Sequence, residues 1–210
     1  MADNYLEKRA QELQERPKKV QQHKNPSLDT LLHRNRSCRS FDPSRVVNES
    51  ELRTLVQAAS LSASGMNRQP LRYHLVTGEM STAVLPHIVL GGALPELQLP
   101  EKGKEPSAYI IICSSVPEDR AVDIDMGFAA QSILLKATEM GLAGVFVLNF
   151  RKDALKQALG LKADPIALIA LGKRAEVAVL TKVHESGSLS YYRKEGVHFV
   201  PKLGVEDLLI

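Results

Sequence analysis

The run Leu31-Leu32-His33-Arg34-Asn35-Arg36-Ser37-Cys38-Arg39-Ser40-Phe41-Asp42-Pro43 sets three arginines, two serines and an aromatic close together, just past an apolar patch of helical spacing. Guanidinium groups fork onto phosphate oxygens, and a serine hydroxyl can complete the cradle, so these residue types suit a phosphate-bearing ligand. On the residues alone a solvated basic face is the competing reading. A second run, Ala63-Ser64-Gly65-Met66-Asn67-Arg68-Gln69-Pro70-Leu71-Arg72-Tyr73, collects small, polar and proline residues and reads as a loop entering a strand. Its bland alternative is an ordinary Ser/Gly turn. No Ser-His-Asp or Cys-His constellation is legible, and the six histidines are scattered without metal-ligand spacing. No catalytic acid, nucleophile or metal ligand is therefore assigned, and His74 and His198, in strand-like runs, read as structural or surface residues.

The elements that must position these runs follow from pattern. Residues 27–34 predict a short helix with Ser27 as N-cap and Leu28, Leu31 and Leu32 turned inward. Asn48-Glu49-Ser50-Glu51 reads as a capping box opening a helix that buries Leu52, Leu55, Val56 and Ala59. Residues 73–77 predict a strand, 79–89 a helix, 91–106 a loop and 108–113 a buried strand. Residues 123–141 form the most informative helix, because Met126, Phe128, Ala129, Ala130, Ile133, Leu134, Leu135, Ala137 and Met140 surround almost its whole circumference. Such a helix must be buried on more than one side, which places it between a sheet and a partner subunit. A strand at 145–148, a helix at 151–159 capped by Asn149, and a strand at 165–171 complete the predicted core. After Lys182 the chain turns polar as far as Val197.

With 210 residues, 44% of them hydrophobic, the chain can bury one substantial core. The formal charge of +3 fits a small anionic ligand, and no lysine block with interleaved aromatics argues for nucleic acid. Two cysteines without metal or redox spacing, no signal-peptide core and no bilayer-length apolar run make a cytoplasmic protein without a membrane segment the expectation. Residues 1–26 read as a polar, partly helical extension, with a helix at 4–15, and as a solvated leader rather than an arm laid across a partner; residues 27–210 read as the domain.

The two runs, in that order and at that spacing, resemble the nitroreductase family, whose pattern is Arg-Arg-Ser-x-Arg-x-Phe followed by Pro-Ser-Ser-x-Asn-x-Gln-Pro-Trp. Here they stand as Asn35-Arg36-Ser37-Cys38-Arg39-Ser40-Phe41 and Ala63-Ser64-Gly65-Met66-Asn67-Arg68-Gln69-Pro70-Leu71. The resemblance implies an α+β fold, with a mainly antiparallel central sheet flanked by helices, in a homodimer with flavin sites at the interface. It implies FMN as cofactor, NADH or NADPH as hydride donor to the flavin N5, and a nitroaromatic, quinone or similar small-molecule acceptor. A flavin-binding module of the same fold with little turnover is the alternative. By motif position Arg36 and Ser37 would hold the phosphate, Arg39 the ribityl chain and pyrimidine edge, and Lys202, in Pro201-Lys202, the phosphate again. Ser64, Gly65 and Asn67, with Gln69 shaping the loop, would approach the flavin of the other subunit, and Leu148 and Asn149 would pass their backbone by N5. The family's cations are absent at Asn35 and Gly204, and its tryptophan at Leu71; Arg34, Arg193 and Lys173 are open candidates to compensate.

Overall fold

The computed structural model describes residues 25–92 and 95–210. Its elements are α1 (Leu28–Arg34), β1 (Phe41–Asp42), α2 (Glu49–Ser60), β2 (Leu71–Thr77), β3 (Ala108–Ser114), α3 (Arg120–Glu139), β4 (Ala143–Val147), α4 (Lys152–Ala158), β5 (Pro165–Arg174), β6 (Val177–Val183), β7 (Tyr192–Lys194) and β8 (Val197–Leu203). The expected helix at 4–15 lies outside the described residues.

The main sheet is antiparallel throughout, and β5 is its axis. One edge of β5 pairs with β3, which continues to β2; the other edge pairs with β4 and, at its last residues, with β1. Alternation along β3 sends Ala108, Ile110 and Ile112 to one core, with Leu52, Leu55 and Ile133 of α2 and α3. It sends Tyr109, Ile111 and Cys113 to a second core, with Val145, Leu155 and Leu168. Burial on both faces is why β3 and β5 read as unbroken apolar runs rather than as alternating ones. The fold is thus α+β, as the motifs imply, and no helix among the described residues is long and apolar enough to cross a membrane.

Several local expectations are corrected. Residues 79–89 form 3-10 turns (Gly78–Ala83 and Leu85–His87), not a helix. Pro86 removes an N–H, while the hydroxyls of Ser81 and Thr82 donate back to Gly78 O and Glu79 O at 2.7 Å, competing with the helical ladder. Asn149 does not cap α4; Arg151 holds that position without a side-chain bond. Helix α3 starts earlier than predicted, because Asp119 caps it by accepting from Val122 N at 2.8 Å. The chain after β5 forms a second sheet, β6 and β7 flanking β8, with β6 parallel and β7 antiparallel to it. Its strands are short and half-exposed, and β7 lies within the polar stretch, so the sheet is not predicted although Val177-Ala178-Val179-Leu180 is apolar. Leu28 is 60% exposed, Leu32 is exposed as well and only Leu31 is half-buried, so α1 does not turn its leucines into the core. Nothing in the described part of the chain covers that face.

Gly172 lets the arginine-bearing segment lie flat on the sheet, and Gly144 lets α3 and β5 close on β4. A Cβ at Gly172 would meet Phe41 at 2.7 Å, and one at Gly144 would meet Leu134 and the Ala170 carbonyl at 2.8 and 2.9 Å. Phe41 is enclosed and is crowded up to its own Cβ, at 3.1 Å, so it has no rotamer of escape. Gly172→Ala is expected to lower stability by about 1–3 kcal/mol, the range for overpacking a filled core. Chemical denaturation reads it, and an unchanged midpoint would show that Phe41 does not anchor this segment.

Candidate functional site

Past α1 the chain runs extended across the end of the main sheet. Cys38 N donates to Gly144 O at 3.0 Å, Phe41 N to Lys104 O at 3.0 Å, and Ala175 N to Ser40 O at 2.9 Å. The strand-like alternation buries Cys38 and Ser40 and leaves Ser37 and Arg39 outward. Strand β8 has the same period, so His198, Val200 and Lys202 share one face. Together with Gln131 and Leu134 of α3 and with Tyr191, these residues, Asn35 and Arg36 enclose a cleft of about 380 Å³. The predicted residues Arg36, Ser37, Arg39 and Lys202, from opposite ends of the described chain, therefore meet in one place.

The electrostatics of this cleft are one-sided. Arg36 donates through Nη2 to Leu32 O, but its Nε is enclosed with no partner among the described residues. Burial, and then repulsion from Arg174, pushes its guanidinium below the ordinary arginine value. Arg39 lies 5.1 Å above the Tyr191 ring, and Tyr191 meets His198 edge-on at 5.2 Å. Of the candidates to replace missing cations, Lys173 is paired with Asp42 at 2.8 Å and Arg193 is paired with Glu176. The Lys173 ammonium and the Ser44 donors hold the Asp42 carboxyl well below the carboxylate range. Arg34 is exposed and does not line the cleft. Arg174, which the motifs did not single out, donates to Arg36 O at 2.7 Å and keeps an enclosed Nη1 with no partner among the described residues.

The second run is built around Asp125 of α3, 5% exposed. Ser64 Oγ donates to Oδ2 at 2.6 Å and Gly65 N to Oδ1 at 2.9 Å; Gln69 N donates to Ser64 Oγ at 2.9 Å, and its side-chain amide to Asn67 Oδ1 at 2.9 Å. Met66, Asn67 and Gln69 take left-handed φ angles of 52°, 55° and 47°. Such positions persist only where the surroundings over-determine them. Ser64, Gln69, Leu71, Tyr73 and Asp125 line a small pocket of about 130 Å³. Burial, helped by the Asp125 charge, pushes the Tyr73 phenol up to about 12.

A single chain does not bring the two runs into one cleft. The pocket at Asp125 and Ala129 and the cleft at Gln131 and Leu134 lie at successive levels of α3. Leu148 and Asn149 follow the end of β4 and line neither cavity; Leu148 is 61% exposed, and the Asn149 carbonyl accepts from Val89 N at 3.0 Å. Sequence reasoning passed over Asp125, although a carboxylate within a helix apolar almost all round signals a buried charge with a partner. It also passed over Tyr191 and Glu176, which carry no local signal, and read His198 as structural or surface, whereas it is buried and lines the cleft. Among the described residues no group of His, Cys, Asp and Glu could hold a metal ion.

Asp125→Ala is expected to strand the Ser64 hydroxyl and the Gly65 N–H and to cost about 1–3 kcal/mol. Asp125→Asn, which keeps one acceptor, should cost less. Denaturant unfolding of both variants checks the order; equal, negligible losses would remove Asp125 as the anchor of the loop.

The profile of the Nitroreductase family matches residues 32–173. Among curated proteins none matches. Solved structures with the same fold include the FMN and NADPH-dependent nitroreductase NfnB from Sphigopyxis sp. strain HMH, at 20% identity and a TM-score of 0.60, covering 71% of this chain and 89% of that one. A nitroreductase family protein from Streptococcus pneumoniae TIGR4 has 17% identity and a TM-score of 0.59, with coverages of 78% and 96%. A putative nitroreductase in complex with FMN, from Exiguobacterium sibiricum 255-15, has 17% identity and a TM-score of 0.58, with coverages of 72% and 90%.

Proposed function

The chain belongs to the nitroreductase family, and from that premise we propose that it is an FMN-dependent oxidoreductase, drawing electrons from NADH or NADPH and passing them to a nitroaromatic, quinone or similar small acceptor. One observation carries the reading. Arg36, Arg39 and Lys202 converge on one cleft, and none of them has a carboxylate partner among the described residues. Cations gathered without counter-charge, one with an enclosed unpartnered Nε, suit a ligand that brings negative charge. The donor set therefore fits a phosphate-bearing flavin.

When bound, FMN supplies the two-electron chemistry, which no side chain of the protein offers. The residues bind and orient. Arg36, Lys202 and the Ser37 hydroxyl would hold the phosphate. Arg39, steadied by the Tyr191 face, would place a fixed positive charge where added negative charge is stabilised. Leu148 and Asn149 would serve through their main chain, since both side chains point to solvent. No residue is assigned to move a proton to product, and water can supply it.

A homodimer belongs to the same reading. Phe128 on α3 is 51% exposed, with Ile124, one turn before it, also exposed, and Leu28 and Leu32 of α1 are exposed as well; a second copy would cover such apolar side chains. It would also bring the Ser64–Gly65–Asn67–Gln69 loop of one copy toward the arginine cleft of the other, which one chain alone does not do.

The test is reconstitution with FMN followed by anaerobic addition of each nicotinamide, read by flavin absorbance. Bleaching by at least one donor is expected. A protein that never binds flavin overturns the reading; one that binds but is reduced by neither donor is a binding module and overturns the oxidoreductase. Arg36→Ala should weaken FMN binding about 10- to 100-fold, the value of a charge-assisted hydrogen bond, and riboflavin binding far less. Sedimentation should show a dimer.

A further inference from the structure

We propose that His198 is a proton-linked contact of the arginine cleft: entry of a dianionic phosphate ester brings a proton onto its imidazole, turning a neutral wall residue into a further cation. The inference rests on the reading that this cleft takes the FMN phosphate. The proton comes from solvent, and no covalent bond other than N–H changes.

The geometry makes His198 a singular residue of the wall. It is 3% exposed and lines the cleft on the same face of β8 as Lys202. Its Nδ1 is enclosed with no hydrogen-bond partner among the described residues. No protein acceptor is therefore in place at Nδ1 among the described residues, and the ring meets Tyr191 edge-on. A buried histidine whose Nδ1 has no partner is not locked in one protonation state by a hydrogen bond, so burial and nearby charge together decide it.

The charges acting on it come from every element around it. Arg39 stands on the extended segment before β1, Arg174 ends β5, and Arg193 on β7 is the direct cross-strand neighbour of His198. Glu176, in the turn between β5 and β6, is the opposing charge, and it is already paired with Arg193. Lys202 and Arg36 line the same cleft. With the cleft empty, burial first and Arg39 next hold the imidazole below its ordinary value, so it is neutral near pH 7. Two negative charges among the same cations reverse the sign of the local field and favour the imidazolium.

The pH consequence has a definite sign. In the flavin-free protein the unfolded chain takes up this proton before the folded one, so stability falls as pH drops below about 6.5. FMN should lessen that fall.

Calorimetric titration of the full chain with FMN near pH 6.5, in two buffers of different ionisation heat, counts the protons. The phosphate of FMN titrates in the same range, near pH 6. That contribution is common to all variants, so the comparison is wild type against His198→Gln and His198→Asn. Wild type should take up about 0.3–0.8 proton more than either variant with FMN, and no more with riboflavin, which lacks the phosphate. Equal counts with FMN bound overturn the inference and leave the flavin reading standing. Failure of wild type to bind FMN overturns both. Should the variants not fold, the wild-type imidazole resonance is followed by NMR as pH falls: with FMN its midpoint should move to higher pH, and an unmoved midpoint overturns the inference.

Discussion

Glu176 ties together the corner on which the rest of the site depends. Its side chain is 4% exposed and is paired with Arg193 of β7. The other oxygen accepts from the backbone N of Arg39 at 2.6 Å. One carboxylate thus joins the extended segment before β1, the turn after β5 and the small second sheet. Taking a lone carboxylate out of water costs several kcal/mol, which a guanidinium and a backbone N–H together offset. The consequence is selective: Arg193 is engaged by the protein, while the Arg39 side chain is left to face the cleft over Tyr191.

A corner this rich in positive charge repels itself, and it needs a rigid support. The two-sided apolar burial of β3 and β5 supplies one, since close-packed interiors do not yield to small forces. Segment 36–41 is pinned to that platform by hydrogen bonds to Gly144 and Lys104 and by Phe41 lying against Gly172. Stability therefore resides in the sheet and its flanking helices, and the charges are set at its edge, where their repulsion is carried by structure paid for elsewhere.

Helix α3 joins the two motif regions without merging them. Asp125 near its start holds the strained Ser64 loop, and Gln131 and Leu134 further along form part of the arginine cleft. The face bearing Ile124 and Phe128 is left apolar and exposed. A helix apolar almost all round is thus buried on one side and bare on the other in the single chain.

Much of this could be read directly from residues. The capping box at Asn48 and Glu51 and the buried β3 run are local or periodic signals, and the structure holds both; the α3 pattern gave the helix, whose Ile124 and Phe128 stay exposed in the single chain. The arginine and serine run was legible as a cradle because residue type and close spacing suffice to suggest phosphate chemistry. The identity of its far wall was not: Lys202 came only by resemblance, His198 read only as a structural or surface residue, and Tyr191 came by no signal at all, nor did Glu176 behind it. Which cations are paired was equally invisible, because Lys173–Asp42 and Arg193–Glu176 are contacts that only the sheet pairings create. The sequence by itself determined the elements and the chemical character of the first run, since those depend on neighbours along the chain. The tertiary structure alone decided which charges were neutralised, which were left without a carboxylate partner among the described residues, and that the two runs lie apart in one chain, since those depend on distances between residues that the backbone brings together only by folding.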